Sequence, residues 1–257
     1  MSTSTLEAPD RAERDRRPGL ARLTQIELRK MTDTRSGFWL LLTVIGLTVA
    51  LVALVGAFGN DEDRTLRSFL SAAVSPASFL LPVVGVLLVT SEWTQRTTLI
   101  TFTLVPNRSR VVAAKLLAGV ALSLAALVIC LVLSVIGTAV SGSGAEDVWA
   151  LPAELLGQTF VYLATGMVIG IGFGAVLLAS APAIVLYFLL PILWSGLGAI
   201  PGLEDAARWL DPSRSLSVMT DHVMSATEWA RAGTTLALWM VLPVLVGLWR
   251  IRRSDLR

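Results

Sequence analysis

The chain has 257 residues, of which 54% are hydrophobic and 16% charged, with a formal net charge of +2 and a mean hydropathy of +0.70. A water-soluble domain needs a much larger polar share, so most of the chain is expected to lie in lipid or against neighbouring spans. The single cysteine, Cys130, excludes an intrachain disulfide.

In chain order, residues 1–19 are charged, carry two prolines and offer few apolar groups to bury, and read as a disordered cytoplasmic arm. The arm is polar up to residue 36, which argues against a cleaved signal peptide, and Glu7, Asp10, Glu13 and Asp15 argue against a mitochondrial presequence. From Leu20 the pattern changes: Leu20, Leu23, Ile26, Glu27 and Met31 recur at near-helical spacing, with Arg22, Arg29, Lys30 and Arg35 interspersed. One reading of 20–36 is a solvated run into the first span. The other, favoured by a joint at Gly37 ahead of Phe38-Trp39, is an interfacial amphipathic helix with its basic residues at lipid phosphates.

Six apolar runs follow, near Gly37–Phe58, Ser78–Thr90, Leu116–Val140, Gln158–Ala179, Ala183–Ile200 and Ala232–Trp249. The first, as a helix, extends roughly 33 Å at ~1.5 Å per residue, which matches a hydrocarbon core of ~30 Å. Continuous apolar runs rather than alternation mean helices, which satisfy their own backbone polar groups in lipid. The expected fold is an all-α integral membrane protein with a six-span domain over 37–249 and a basic tail at 250–257. With the N-terminus inside, the inner segments hold 16 of the 21 Lys and Arg, so both termini are expected in the cytoplasm.

The second run is the weakest, with a short apolar centre that begins after an outer segment containing Ser75-Pro76 and ends at Thr90-Ser91-Glu92. The third opens at Lys115, read as a cation snorkelling to the inner boundary. The fourth carries Gly166, Gly170 and Gly174 at four-residue intervals, a ridge that admits a close neighbouring helix and is favoured over a substrate groove. Pro191 is expected to kink or interrupt the fifth. Residues 200–231 are too polar to span and long for a structureless loop. Leu203, Ala206, Ala207 and Leu210 make a short amphipathic face that Asp211-Pro212 breaks, so one or two short helices are expected on or in the outer leaflet.

The apolar cores hold essentially no ionisable residues, which lowers the case for a proton-driven carrier. No phosphate-cradling loop is present: Lys30 precedes Met31, and Lys115 sits in Ala-Lys-Leu. ATP and Mg would therefore belong to a partner, and no enzyme activity, catalytic group or metal site is expected in this chain. His222, the sole histidine, reads as a solvated outer residue. Nucleic acid is not an expected partner.

The inner connection at 91–115 is the most specific local signal. It runs Ser91-Glu92-Trp93-Thr94-Gln95-Arg96-Thr97-Thr98-Leu99-Ile100-Thr101-Phe102-Thr103-Leu104-Val105-Pro106-Asn107-Arg108-Ser109-Arg110, with Lys115 beyond. Thr97–Val105 can form a short helix stopped by Pro106; the bland alternative is a polar loop with one helical turn. Glu92, Arg96-Thr97, Pro106, Arg108 or Arg110, and Lys115 stand in an order that resembles the permease subunits of type-2 ABC exporters, especially the small six-span antibiotic and multidrug kind. Arg96 stands where that family more commonly has Gly. Glu27-Leu28-Arg29-Lys30 before Phe38-Trp39 resembles the family's entry helix, and Arg250–Asp255 its Arg-Asp tail, so the resemblance runs from about residue 20 to the end.

The resemblance implies a bacterial plasma-membrane exporter with two permease and two ATPase subunits, the permeases paired as a homodimer or heterodimer. Residues 91–115, with Thr98, Leu99 and Phe102 on the contact surface, would be the coupling loop to the ATPase. Glu92 could cap or pair with Arg96 or with the entry helix. The neutral, hydroxyl-bearing spans suit lipophilic or amphipathic cargo. The rival readings are a non-transporting anchor for a cytosolic partner and an independent secondary carrier.

Overall fold

The structure, a computed structural model, describes residues 19–94, 108–141, 147–197, 200, 202 and 209–253. Every regular element among them is helical: α1 Leu20–Asp33, α2 Arg35–Phe58, α3 Leu66–Thr94, α4 Arg108–Ser141, α5 Ala153–Leu177, α6 Ser180–Leu197, α7 Pro212–Asp221 and α8 Ala226–Arg253. Five of these (α2, α3, α4, α5 and α8) are long and apolar enough to cross a membrane, and α6 is a shorter apolar helix. The chain is an all-α, multi-pass membrane protein. The sequence expectations for residues 1–18, 95–107, 203–208 and 254–257 lie outside the described residues.

The joint between α1 and α2 is Thr34, not Gly37. Its extended backbone stops α1, and its side chain accepts from Gly37 N at 3.2 Å to cap α2. Gly37 serves the same joint differently, since a Cβ there would stand 2.0 Å from the Met31 carbonyl oxygen.

The second span corrects the sequence reading most. It begins at Leu66 and runs 29 residues straight through Pro76 and Pro82. Leu66, Phe69, Leu70, Ala73, Val74 and Ala77 are buried, while Arg67, Ser71 and Ser75 are exposed on the opposite face. Averaged along the chain, those serines and that arginine dilute the apolar signal; arranged on a helix, they occupy one stripe. Proline removes one ladder hydrogen bond and crowds the turn before it. Beside Pro76 the neighbouring helices tie directly into this backbone: Thr48 of α2 and Cys130 of α4 both donate to the Ala73 carbonyl, at 3.2 and 3.3 Å. Replacing Thr48 with valine is expected to cost about 0.6 kcal/mol, read as a slightly lowered unfolding midpoint in detergent, because Cys130 still serves that carbonyl.

In α3 and α5, 61% and 56% of the most apolar stretch is buried, against 17%, 28% and 22% in α2, α4 and α8. These two helices are therefore the middle of the bundle. They cross with backbone close to backbone: a Cβ on Gly170 would lie 2.2 Å from the Pro82 carbonyl oxygen, and one on Gly85 2.6 Å from that of Met167. Glycine on both partners makes this approach possible. On its other side α5 meets α8, where Gly172 faces Pro243 and Val244, and Gly247 faces Ala175.

The last span also starts earlier than read, at Ala226, where Ser225 and Glu228 form a reciprocal N-terminal cap. Ahead of Pro243 the helix widens into a π-helical turn over Ala237–Val241, a common way to absorb a residue that cannot donate. Pro191, in contrast, sits inside α6 without ending it. Asp211-Pro212 does break the helical path, standing between the helical Trp209-Leu210 and α7, and it also opens α7: the Asp211 carboxylate accepts from Ser213 N at 2.9 Å, and Pro212 stands at the first turn, where no N–H is needed.

Candidate functional site

α1, the C-terminal end of α3 and the N-terminal part of α4 meet at one end of the bundle, and four charges converge there. Glu27 and Lys30 come from α1, one helical turn apart. Glu92 comes from the last turn of α3 and Lys115 from the third turn of α4. Lys30 Nζ lies 2.8 Å from Glu27 Oε1 and 2.7 Å from Glu92 Oε1; Lys115 Nζ lies 2.7 Å from Glu27 Oε2 and 2.9 Å from Glu92 Oε1. Two carboxylates and two ammonium groups thus alternate around a ring of no net formal charge.

Burial makes the ring costly to disturb. Glu27, Glu92 and Lys115 are 4%, 7% and 4% exposed. Each such charge loses several kcal/mol of hydration, which close and complete pairing must offset. Lys115 does so with all three of its N–H donors, the third going to the Leu88 carbonyl at 3.1 Å. It does not snorkel to the boundary, as its place before an apolar run suggested; the carboxylates hold it inside. Leu23, Glu27 and Met31 form the buried stripe of α1, while Leu20, Ile26 and Arg29 are exposed. Glu27 therefore occupies a core position in an otherwise amphipathic helix.

Lys30, at the open edge, titrates above the ordinary lysine value. Its partial burial opposes the charged form, and the carboxylates of Glu27 and Glu92 outweigh that effect. A raised folded pKa means the ion pairs contribute fully below the ordinary lysine value of 10.5 and are lost only as pH rises through the higher folded value. At neutral pH, then, α1 is expected to stay docked, and detachment under alkaline wash to begin only above that range, as read by protease access to Arg29.

Further cations cap helix ends beside the ring. Arg108 donates to the Ile251 carbonyl and, at 3.2 Å, to that of Arg252, in the last turn of α8. Arg252 returns a bond to Ser109 Oγ at 2.8 Å, and Arg250 donates to the Val176 carbonyl in the last turn of α5. Carbonyls at helix C-termini lack intrahelical donors and carry partial negative charge, which suits a guanidinium. The sequence marked Arg250–Arg253 as part of a basic tail without showing these bonds, since carbonyl partners leave no trace in side-chain identity. Arg110 is half-buried at the start of α4.

The structure thus brings together Glu27, Lys30, Glu92 and Lys115, with Arg108 and Arg110 nearby. Arg96, Thr97, Thr98, Leu99, Phe102 and Pro106 lie outside the described residues. Gly166, Gly170 and Gly174 sit elsewhere, on the α5 face toward α3. Among the described residues no group of three His, Cys, Asp or Glu could hold a metal, and His222 lies 3.0 Å from Glu228 at the other end. The ring fastens three helices at the point where the connection of residues 95–107 joins α3 to α4. No protein-family model matches the chain, and no curated protein matches it significantly.

Proposed function

We propose that this chain is the permease subunit of an ATP-driven exporter of the type-2 ABC kind, moving a lipophilic or amphipathic compound with energy from a separate ATPase. In this reading α6 is the fifth of six spans, both termini are cytoplasmic and the chain works in a bacterial plasma membrane. The charge bias supports the orientation: 16 of 21 Lys and Arg fall at the proposed inner side. Two ATPase subunits and a second permease, an identical copy or a relative, would complete the transporter.

The ring of Glu27, Lys30, Glu92 and Lys115 is the observation that carries the reading. It clamps α1 to both ends of the connection formed by residues 95–107, Glu92 on the near side and Lys115 on the far side. A partner pushing on that connection would move α1, α3 and α4 as one piece, and α3 is at the centre of the bundle. That is how a cytosolic motor can act on the pathway without touching it. A plain membrane anchor has no need of such a linkage to the bundle centre.

Affinity-tagged chain, co-expressed with the ATPase encoded nearest to it, is expected to co-purify with that ATPase. Disruption of Thr97–Val105 in a chain that still inserts should abolish the association. No association with the intact chain, or association indifferent to Thr97–Val105, would overturn the coupling assignment. Transport that survives Glu92→Lys with assembly intact would overturn it equally.

A further inference from the structure

At the opposite half of the bundle, α3, α5, α6, α7 and Trp239 of α8 enclose a cavity of about 390 Å³, within the size range of small-molecule sites. Six aromatic residues face it: Phe79, Tyr162, Phe173, Tyr187, Phe188 and Trp239. Among the described residues no charged residue lines it. A charged ligand would lose its hydration there and meet no counter-charge.

The walls are held in place before any ligand arrives. Phe173 and Tyr187 meet edge to face at 6.4 Å, Tyr187 and Phe188 at 5.0 Å, and Phe188 stacks on Phe79 at 6.4 Å. These contacts form one continuous aromatic wall across three helices. On the far side α7 is pinned through the residues that lead into it. The Trp209 carbonyl accepts from Thr234 at 2.9 Å and Thr235 at 3.2 Å, and the Leu210 carbonyl accepts from the Trp239 indole at 2.8 Å.

Two features say what would fill it. Phe79 and Ile192, on the rim, are 60% and 66% exposed on apolar helix faces, so the cavity opens sideways toward lipid. Ser213 and Ser217 of α7, both exposed, give the rim a second, hydroxyl-bearing side. Inside, the Tyr187 hydroxyl would lie 3.5 Å from a Cβ on Gly166 and makes no hydrogen bond among the described residues. With Ser78 and Tyr162 it is one of the few polar groups inside the chamber, and it is the one carried by the aromatic wall.

We propose that this cavity binds an uncharged amphiphile drawn from the bilayer, its apolar body against the aromatic wall and one hydrogen-bonding group at Tyr187. As a binding site it stands on this geometry; as a cargo site it rests on the exporter reading. The test uses the full chain alone in lipid nanodiscs, so its outcome is independent of any ATPase. The probe is a medium-chain fatty alcohol bearing a photoactivatable diazirine and an alkyne tag.

Saturable labelling is expected in α5 and α6, around Tyr162–Phe173 and Tyr187–Ile192. The unlabelled alcohol should displace the probe, and the matching alkyl sulfate, whose anionic head gains nothing from aromatic faces, should be about tenfold weaker. Tyr187→Phe should weaken displacement by the alcohol about fivefold while leaving displacement by the parent alkane unchanged. Gly166→Leu, which fills the chamber, and Ser217→Trp, which blocks the rim from an exposed position, should each remove most saturable labelling. Ser217→Trp and Tyr187→Phe decide the matter if Gly166→Leu fails to fold. Labelling spread over the lipid-facing surfaces of α2 and α4, labelling indifferent to Ser217→Trp, or equal displacement by the charged amphiphile would overturn the assignment.

Discussion

Lys115→Met is expected to be among the most damaging single substitutions in the chain, costing about 3–5 kcal/mol. Lys115 has three acceptors and no exposure to water that could replace it. Methionine keeps the length and the apolar contacts but removes the more buried of the two lysines that Glu27 and Glu92 share; the other, Lys30, has a side chain that is 37% exposed. With Lys115 gone from between them, the two buried carboxylates repel each other across the α1–α3 contact, and α1 is the element free to leave. The unfolding midpoint in detergent should fall by about 10 °C, and trypsin should cut faster at Arg29. Adding Glu92→Gln removes the excess carboxylate and should restore part of the loss, a rescue that a packing defect would not show. An unchanged midpoint and unchanged cleavage would mean that the ring contributes nothing to holding α1.

The second large effect belongs to the α3–α5 crossing. Gly170→Ala is expected to cost about 3 kcal/mol or more, the upper range for overpacking, and to reduce the yield of folded protein. The added methyl would lie 2.2 Å from the Pro82 carbonyl oxygen and 2.9 Å from its carbon. Those are backbone atoms, so relief requires shifting one of the two most buried helices as a whole. Gly166→Ala is the internal control. Its Cβ would meet only the Pro82 ring at 3.3 Å and the Tyr187 hydroxyl at 3.5 Å, beside the cavity, where both have room to yield. Near-normal stability is expected, by the same thermal measurement. If Gly170→Ala matches the parent chain, the two helices do not cross at this point.

The contrast between these glycines shows where reading the sequence stops. Spacing at four residues identified Gly166, Gly170 and Gly174 as one ridge, and all three do face α3. Spacing could not say that Gly170 lies against backbone while Gly166 opens onto a cavity, because that depends on where Pro82 falls on the partner. The cavity itself has no sequence signature. Its aromatic residues are drawn from separate helices, and each alone looks like an ordinary apolar residue of a span.

The membrane-spanning, all-helical character followed from the sequence alone, because hydropathy is additive along a segment and a bilayer imposes one length on whatever crosses it. Local capping chemistry was partly legible in the same way: Asp211-Pro212 marked a real helix boundary, although Thr34 was passed over for Gly37. Tertiary structure alone decided the rest. α3 looked like the weakest span because its first turns are polar on one face and carry proline, and it proves central because its other faces pack against α2, α4 and α5. Glu27 and Lys115 stand 88 positions apart in the chain. Each is an unremarkable boundary charge until folding removes water from both, and only then does their pairing become strong enough to hold three helices together.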